Sequence, residues 1–434
     1  MLYYTFIDMR NKRPCKKEIG MNIKKIICML CFVIFIFNFS GCNGGKNTDT
    51  EQKFDATKLP YYEREYASLT DSYTNEQRIR PFWQGNVIYN EQLMVVKKDG
   101  KTEGHLLYDA LRIISVKDAA LKKEFAEGVD YTVSGNTITL PEGSSIPVFC
   151  DEWASGENVP KEYPQGNAAS GYQMIGGAIY TETSLIWGNY IHVTYVYDAE
   201  KVDRTVLKTY NEELYGLSRK LLDKQDIRMV VYGDSISEGC SSSAQWNHEP
   251  QCPPYAELVK EGIEYYGGVS VTMKNLSVGG KDSVWAAEDG QIGTLVEEKP
   301  DLLILAFGTN DSYINVESGV YRKNLGKIIS AVKAVNSECQ IILIAPFPSN
   351  EKTKQYQAQD IVCTALTELA EEDAEKENWM DICLVDMYHN VRKMLEVKNY
   401  YEIAANNINH PNDFIHRFYA MNILSAIFDF SKKI

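Results

Sequence analysis

Residues 231–240 read VYGDSISEGC, and the turn at their centre decides the fold. The apolar run from Ile227 to Tyr232 stops at Gly233, and Asp234 and Ser235 follow at once. A nearly unbroken apolar strand is what burial on both faces demands, as in a parallel sheet covered by helices. Such sheets bind ligands just outside the carboxyl ends of their strands. A serine placed there draws attention to the ends of the neighbouring strands.

Downstream the pattern repeats. Candidate strands SVTMKNLSV (270–278), DLLILAFG (301–308), QIILIAPFP (340–348) and ICLVDMY (382–388) alternate with helical stretches. Those stretches include YAELVKEGIEYY (255–266), VYRKNLGKIISAVKAVN (320–336) and IVCTALTELAEEDAEKE (361–377). Strand–helix alternation predicts one α/β unit with a parallel five-stranded sheet, over residues 203–434. Upstream, over 60–202, the texture differs. NVIYNEQLMVV (86–96), DYTVSGNTITL (130–140) and YIHVTYVYD (190–198) are short, β-branched or aromatic, and bounded by Gly, Asn or Asp. Such runs predict an all-β sandwich, with a hairpin turning at Ser134-Gly135-Asn136.

The residues just past each strand supply reactive groups. Gly233-Asp234-Ser235 follow the first, Gly279-Gly280 the second and Gly308-Thr309-Asn310-Asp311 the third, while NNINHPNDFIH (406–416) lies beyond the fifth. Together they offer a hydroxyl, backbone N–H groups, an amide and imidazoles, the parts of an acyl-transfer site. The Ser235 hydroxyl is a weak nucleophile until a base takes its proton. Of the six histidines, His105 and His192 belong to the β-rich region and His248 to the loop after the serine turn. His389 sits past the fifth strand, and His410 and His416 occupy the C-terminal segment. Asn310 can donate from its amide, Gly280 from an unobstructed backbone N–H, and the Ser235 N–H makes a third donor. One such donor is worth about 3–4 kcal/mol of barrier.

Asp234 and Asp311 read as turn or cap residues. Trp246, Trp285 and Tyr313, close behind strand ends, either line a cleft or pack. Gly233–Ser237 is not a Gly-x-Ser-x-Gly elbow, and neither GNAASG (166–171) nor Gly279-Gly280 makes a Gly-x-Gly-x-x-Gly nucleotide loop. There is no His-Glu-x-x-His pair, so neither a metal nor a cofactor is expected.

In this order, GDS (233–235), the glycine closing NLSVGG (280), GTND (308–311) and HPND (410–413) resemble the four blocks of the SGNH, or GDSL-type, hydrolases. The resemblance covers about 226–434. It implies a three-layer α/β/α sandwich and a serine esterase acting on acyl or acetyl esters without a metal. Ser235 would be the nucleophile, Gly280 and Asn310 oxyanion donors, and His410 the base. One position departs from the pattern. The family carries Asp-x-x-His-Pro, and here Asn407 stands at the acid position. Asp413 and His416 also fit Asp-x-x-His, but Pro411-Asn412 after His410 matches the residues that succeed the family's histidine. The expected site is therefore a Ser–His dyad, with Asn407 or a backbone carbonyl fixing the imidazole tautomer, and a slower enzyme than one with a full triad.

The N-terminus reads as an export signal. Lys24 and Lys25 precede an apolar run from Ile26 to Phe39, short for a membrane span, which ends in Ser40-Gly41-Cys42. This resembles a bacterial lipobox and implies a surface lipoprotein, membrane-anchored through Cys42; a membrane anchor helix is the alternative. Residues 43–59 read as a polar tether. Export permits disulfides, and Cys240 and Cys252 flank one loop, while Cys339, Cys363 and Cys383 sit in apolar runs. A net charge of −14 argues against nucleic acid or an anionic lipid surface as partner. Anchoring, acidity and the added β-region point to an acylated extracellular polysaccharide as substrate. The alternatives are a lipid or small-ester acylhydrolase and a non-catalytic carbohydrate-binding lipoprotein.

Overall fold

The computed structural model describes residues 74–202, 214–374 and 381–430. The export segment, Cys42 and the tether lie outside the described residues.

The N-terminal region begins with α1 (Asn75–Ile79), then β1 (Val87–Leu93), β2 (Val95–Lys98), β3 (Lys101–His105) and β4 (Ala110–Asp118). Next come β5 (Thr132–Ser134), β6 (Thr137–Thr139), β7 (Val148–Cys150), β8 (Gln173–Ile175), β9 (Ala178–Tyr180), α2 (Ser184–Trp187) and β10 (Ile191–Tyr197). These strands form a three-stranded antiparallel sheet, β1-β10-β4, a five-stranded sheet, β5-β6-β3-β2-β7, and the β8-β9 pair. β5 and β6 pair antiparallel with Ser134 opposite Thr137, so the hairpin turns on Gly135 and Asn136.

The second half holds α3 (Tyr215–Leu222), β11 (Ile227–Gly233), α4 (Ser235–Glu238), α5 (Tyr255–Gly267), β12 (Val271–Asn275), α6 (Ser283–Ala286) and α7 (Asp289–Glu297). It continues through β13 (Leu302–Ala306), α8 (Thr309–Tyr313), α9 (Ser318–Val335), β14 (Gln340–Ile344), α10 (Lys354–Ala374), β15 (Ile382–Val385), α11 (Met387–Met394) and α12 (Asp413–Ile427). The sheet is parallel and ordered β12-β11-β13-β14-β15.

Why the central strands are mostly apolar is plain from where alternate residues go. Met229, Val231, Leu302, Ile304, Ile342 and Ile344 enter one core, with residues of α5 and α12. Val230, Tyr232, Leu303, Leu305, Ile341 and Leu343 enter a second, with residues of α9. Successive side chains of a strand point to opposite faces, so a helix layer on each side favours apolar residues on both; the edge strand β12, with exposed Thr272, Lys274 and Asn275, is the exception. The order 2-1-3-4-5 reverses direction between the first and third strands, and a crevice opens there at the carboxyl ends. Those ends carry Ser235 and Asn310.

The β-rich region is not a separate bead. One core cluster runs from Ile79, Trp83, Ile88 and Tyr195 into Met229, Phe414 and Phe418. Phe418 of α12 stacks on Phe82 at 6.0 Å and meets Trp83 edge-on at 5.7 Å. The buried Arg417 guanidinium donates to the carbonyls of Arg78, Tyr89, Asn90 and Gln77 at 2.8–3.2 Å. Burying a cation is costly unless its hydrogens are met, and backbone oxygens from α1 and β1 meet them here. Lys398 pairs with Glu91 in the same interior, both side chains nearly inaccessible.

The six cysteines of the described residues are all free, so Cys240 and Cys252 do not bridge. Cys339, Cys363 and Cys383 are buried, as their apolar surroundings predict. No helix among the described residues is long and apolar enough to cross a membrane.

Candidate active site

The serine turn is built from three constraints. Gly233 ends β11 where it pairs with Ala306 of β13, and a Cβ there would lie 2.6 Å from Ala306 O and 2.4 Å from Ser237 Oγ. Only glycine lets the chain pass. Asp234 then caps the one-turn helix α4, its Oδ1 accepting the Ile236 N–H at 3.0 Å. Burial pushes the Asp234 carboxyl up to about 7. Ser235 follows, largely buried but with 9% of its surface open.

Ser235 Oγ lies 2.9 Å from His410 Nε2, across 175 residues of chain. His416 is elsewhere. Its Nε2 donates to Cys240 O at 3.2 Å, its Nδ1 accepts from the Tyr255 N–H at 3.4 Å, and its ring stacks on Tyr255. Both nitrogens are occupied in the interior, so His416 is a structural histidine. Asp413, the carboxylate of the competing Asp-x-x-His reading, accepts from the Ser243 N–H at 2.8 Å.

The loop that carries His410 is tied by Asn406. Its buried Oδ1 accepts the N–H groups of Ile408, Asn409 and His410 at 2.9–3.0 Å. Asn407 adopts a left-handed backbone, φ +61°, and turns its amide away from the imidazole. Nδ2 donates to Ile179 O at 3.2 Å, and the Asn350 amide donates to Asn407 O at 2.9 Å. Asn407 therefore does not orient His410, contrary to one of the two devices considered from sequence. No backbone carbonyl does so either. Among the described residues, His410 Nδ1 is buried and without a partner. Accepting a proton at Nε2 requires the neutral ring to carry its hydrogen on Nδ1, a buried donor left unmet at a cost of about 1–3 kcal/mol. Part of the His410 surface reaches solvent, yet protein surrounds most of the ring. That burial, with a smaller contribution from His416, lowers its pKa to about 4.

The two residues expected as oxyanion donors sit on loops joined by a hydrogen bond. Asn310 opens α8 past β13, and its Nδ2 donates one hydrogen to Lys281 O at 2.9 Å, leaving the other free. Gly280 has φ +74°, a conformation that favours glycine, and open space where a Cβ would stand. Its neighbour Gly279 lies against the nucleophile: a Cβ there would be 3.6 Å from Ser235 Cβ. Asp311 is not the cap of its own helix. Its buried carboxylate accepts the Ser283 N–H at 3.0 and 3.1 Å and so ties the two loops together. Burial raises its pKa to about 6. The sequence marks Gly279 only as a strand-end glycine and does not single out Glu238.

Of the aromatic residues behind the strand ends, Trp285 is half-buried against Tyr232 and under Lys281, while Tyr313 is 51% exposed. Trp246 lies beside His248, which stacks face to face on Trp187 of the β-rich region at 4.1 Å. Among the described residues no three His, Cys, Asp or Glu side chains gather in a way that could hold a metal ion.

Residues 231–418 match the GDSL-like lipase/acylhydrolase family, a span that begins in β11 and ends in α12. That span is similar to a GDSL-like esterase domain. No curated protein matches the chain. Among solved structures, an acetylxylan esterase from Geobacillus stearothermophilus is similar at 18% identity and a TM-score of 0.39, over 48% of this chain and 97% of that one. A carbohydrate esterase family 3 protein from Talaromyces cellulolyticus is similar at 17% identity and a TM-score of 0.36, over 45% and 94%. A two-domain esterase active on acetylated mannans shares 19% identity at a TM-score of 0.39, over 50% of this chain and 53% of that one. The matched span falls in the α/β half and begins after the β-rich region.

Proposed function

We propose that this protein hydrolyses acyl esters through Ser235 as nucleophile and His410 as base. The contact of 2.9 Å between Ser235 Oγ and His410 Nε2, at the crevice of a parallel sheet, carries the proposal. His410 Nε2 takes the hydroxyl proton as Oγ bonds to the acyl carbon. The resulting oxyanion is held by Asn310 Nδ2 and the N–H groups of Gly280 and Ser235. Collapse breaks the bond to the alcohol, which leaves with the proton from Nε2. Water, deprotonated by His410 Nε2, then attacks acyl-Ser235; the acyl–Oγ bond breaks, the acid leaves, and Oγ takes the proton back from Nε2. His410 works without a carboxylate behind it, as a dyad.

The substrate is an acetylated extracellular polysaccharide, reached by a protein exported and anchored through Cys42. The acidic charge and the export-type N-terminus support this reading. A second reading, hydrolysis of lipid or longer acyl esters, draws support from Val278, Val284, Tyr313 and Ile314. These lie on the loops that carry Gly280 and Asn310 and are 38–52% exposed. Wild-type protein should release acetate from acetylated xylan and cleave p-nitrophenyl acetate faster than the octanoate. Ser235→Ala should lower either rate by at least about 1,000-fold. Preference for the octanoate would favour the second reading, and no release from any ester would leave a binding protein.

A further inference from the structure

The peptide that supplies the Gly280 donor is held from the nucleophile's own helix. Ser235 and Glu238 stand three residues apart on α4 and share a face. The exposed Glu238 accepts the Gly279 N–H on Oε2 at 2.8 Å. The approach is so close that a Cβ on Gly279 would lie 2.9 Å from the same oxygen. Asn275 fixes the start of this loop, donating to Ser237 O at 2.8 Å and accepting the Ser277 N–H at 3.0 Å. The loop ends in a turn closed by the Lys281 N–H on Val278 O at 3.3 Å, with positive φ at Gly280. Positive φ at the third residue marks a type II turn, whose central peptide is reversed relative to type I. That central peptide joins Gly279 to Gly280. Its orientation decides whether the Gly280 N–H faces the reaction or turns from it.

We infer that Glu238 is a positioning residue: by accepting the Gly279 N–H, its carboxylate holds the 278–281 turn in the form that presents the Gly280 N–H to the oxyanion. The inference rests on the hydrolase reading given above. Glu238 acts through the glycine peptide and has no need to touch substrate. What the turn requires is an oxygen acceptor. The negative charge itself opposes a nearby oxyanion, so an amide oxygen serves equally well.

Steady-state kinetics on p-nitrophenyl acetate, with thermal unfolding of each variant, test this. Glu238→Ala should lower kcat about tenfold with KM within about twofold, since what is lost is alignment of a transition-state donor. Glu238→Gln should return kcat to within about threefold of wild type. Both should keep the wild-type Tm, because the side chain is exposed. An Ala variant with wild-type kcat would overturn the inference, as would Ala and Gln variants impaired alike. A wild-type protein inactive on every ester would sink the hydrolase reading and this inference with it. An active wild type beside an unimpaired Ala variant sinks this inference alone.

Discussion

The His410 imidazole reaches Ser235 through Nε2 and, among the described residues, holds nothing through Nδ1. A carboxylate behind it would stabilise the protonated ring; burial does the opposite and lowers its pKa to about 4. The sign matters for activity. A base works in its neutral form, and a lowered pKa keeps the ring neutral well below the ordinary value of about 6.5. The acid limb of kcat/KM, which reports the free enzyme's base, should therefore fall below about pH 5. A limb at 6.5 or higher, measured with a neutral acetate ester, would contradict the lowering by burial. Ser235, Gly280, Asn310 and His410 stand out in the sequence because each follows an apolar strand or sits in a compact motif, and the structure brings Ser235 and His410 together. The direction of the Asn407 side chain is not legible there. It is set by the Ile179 carbonyl, 228 residues away, and no local pattern encodes such a partner. Glu238 stayed hidden for a different reason, as an exposed acid on a helix turn has the composition of ordinary surface.

The β-rich region meets the base through the 401–414 segment. Gln92 of β1 accepts the Phe414 N–H at 2.8 Å in the first turn of α12. Tyr190 donates to Tyr401 O at 2.8 Å, Glu402 accepts the Met94 N–H at 3.2 Å, and the Thr181 N–H reaches Asn406 O. Strands of the first half thus brace the loop that presents His410. Gln92→Leu leaves a buried N–H unmet and should destabilise the protein by about 1–3 kcal/mol. The check is urea unfolding, with a lower midpoint and an unchanged slope; an unmoved midpoint would mean that the contact is not formed. The elements themselves were readable, since alternation fixes a strand and continuous apolarity a doubly buried one. Their docking was not. Gln92 and Arg417 look like surface residues in sequence, and only the fold brings them to backbone groups more than 300 positions away.

Across the whole molecule, the described residues lie in one compact unit, 54–434, and one interior joins α1 and the N-terminal strands to α5 and α12. Ser235 comes from the strand end of the α/β half, and His410 from a loop that both halves hold. Composition and texture separate these halves at about residue 202, but burial does not, because apolar faces of α12 and β1 complete each other. The central claim, that the imidazole of His410 drives attack by Ser235, is met most directly by kcat of His410→Ala beside His416→Ala on p-nitrophenyl acetate, per folded molecule. His410→Ala should lose at least about 1,000-fold in kcat at unchanged Tm, and His416→Ala should lose Tm while keeping kcat within about tenfold. Retained activity in His410→Ala, with loss confined to His416→Ala, would contradict the account.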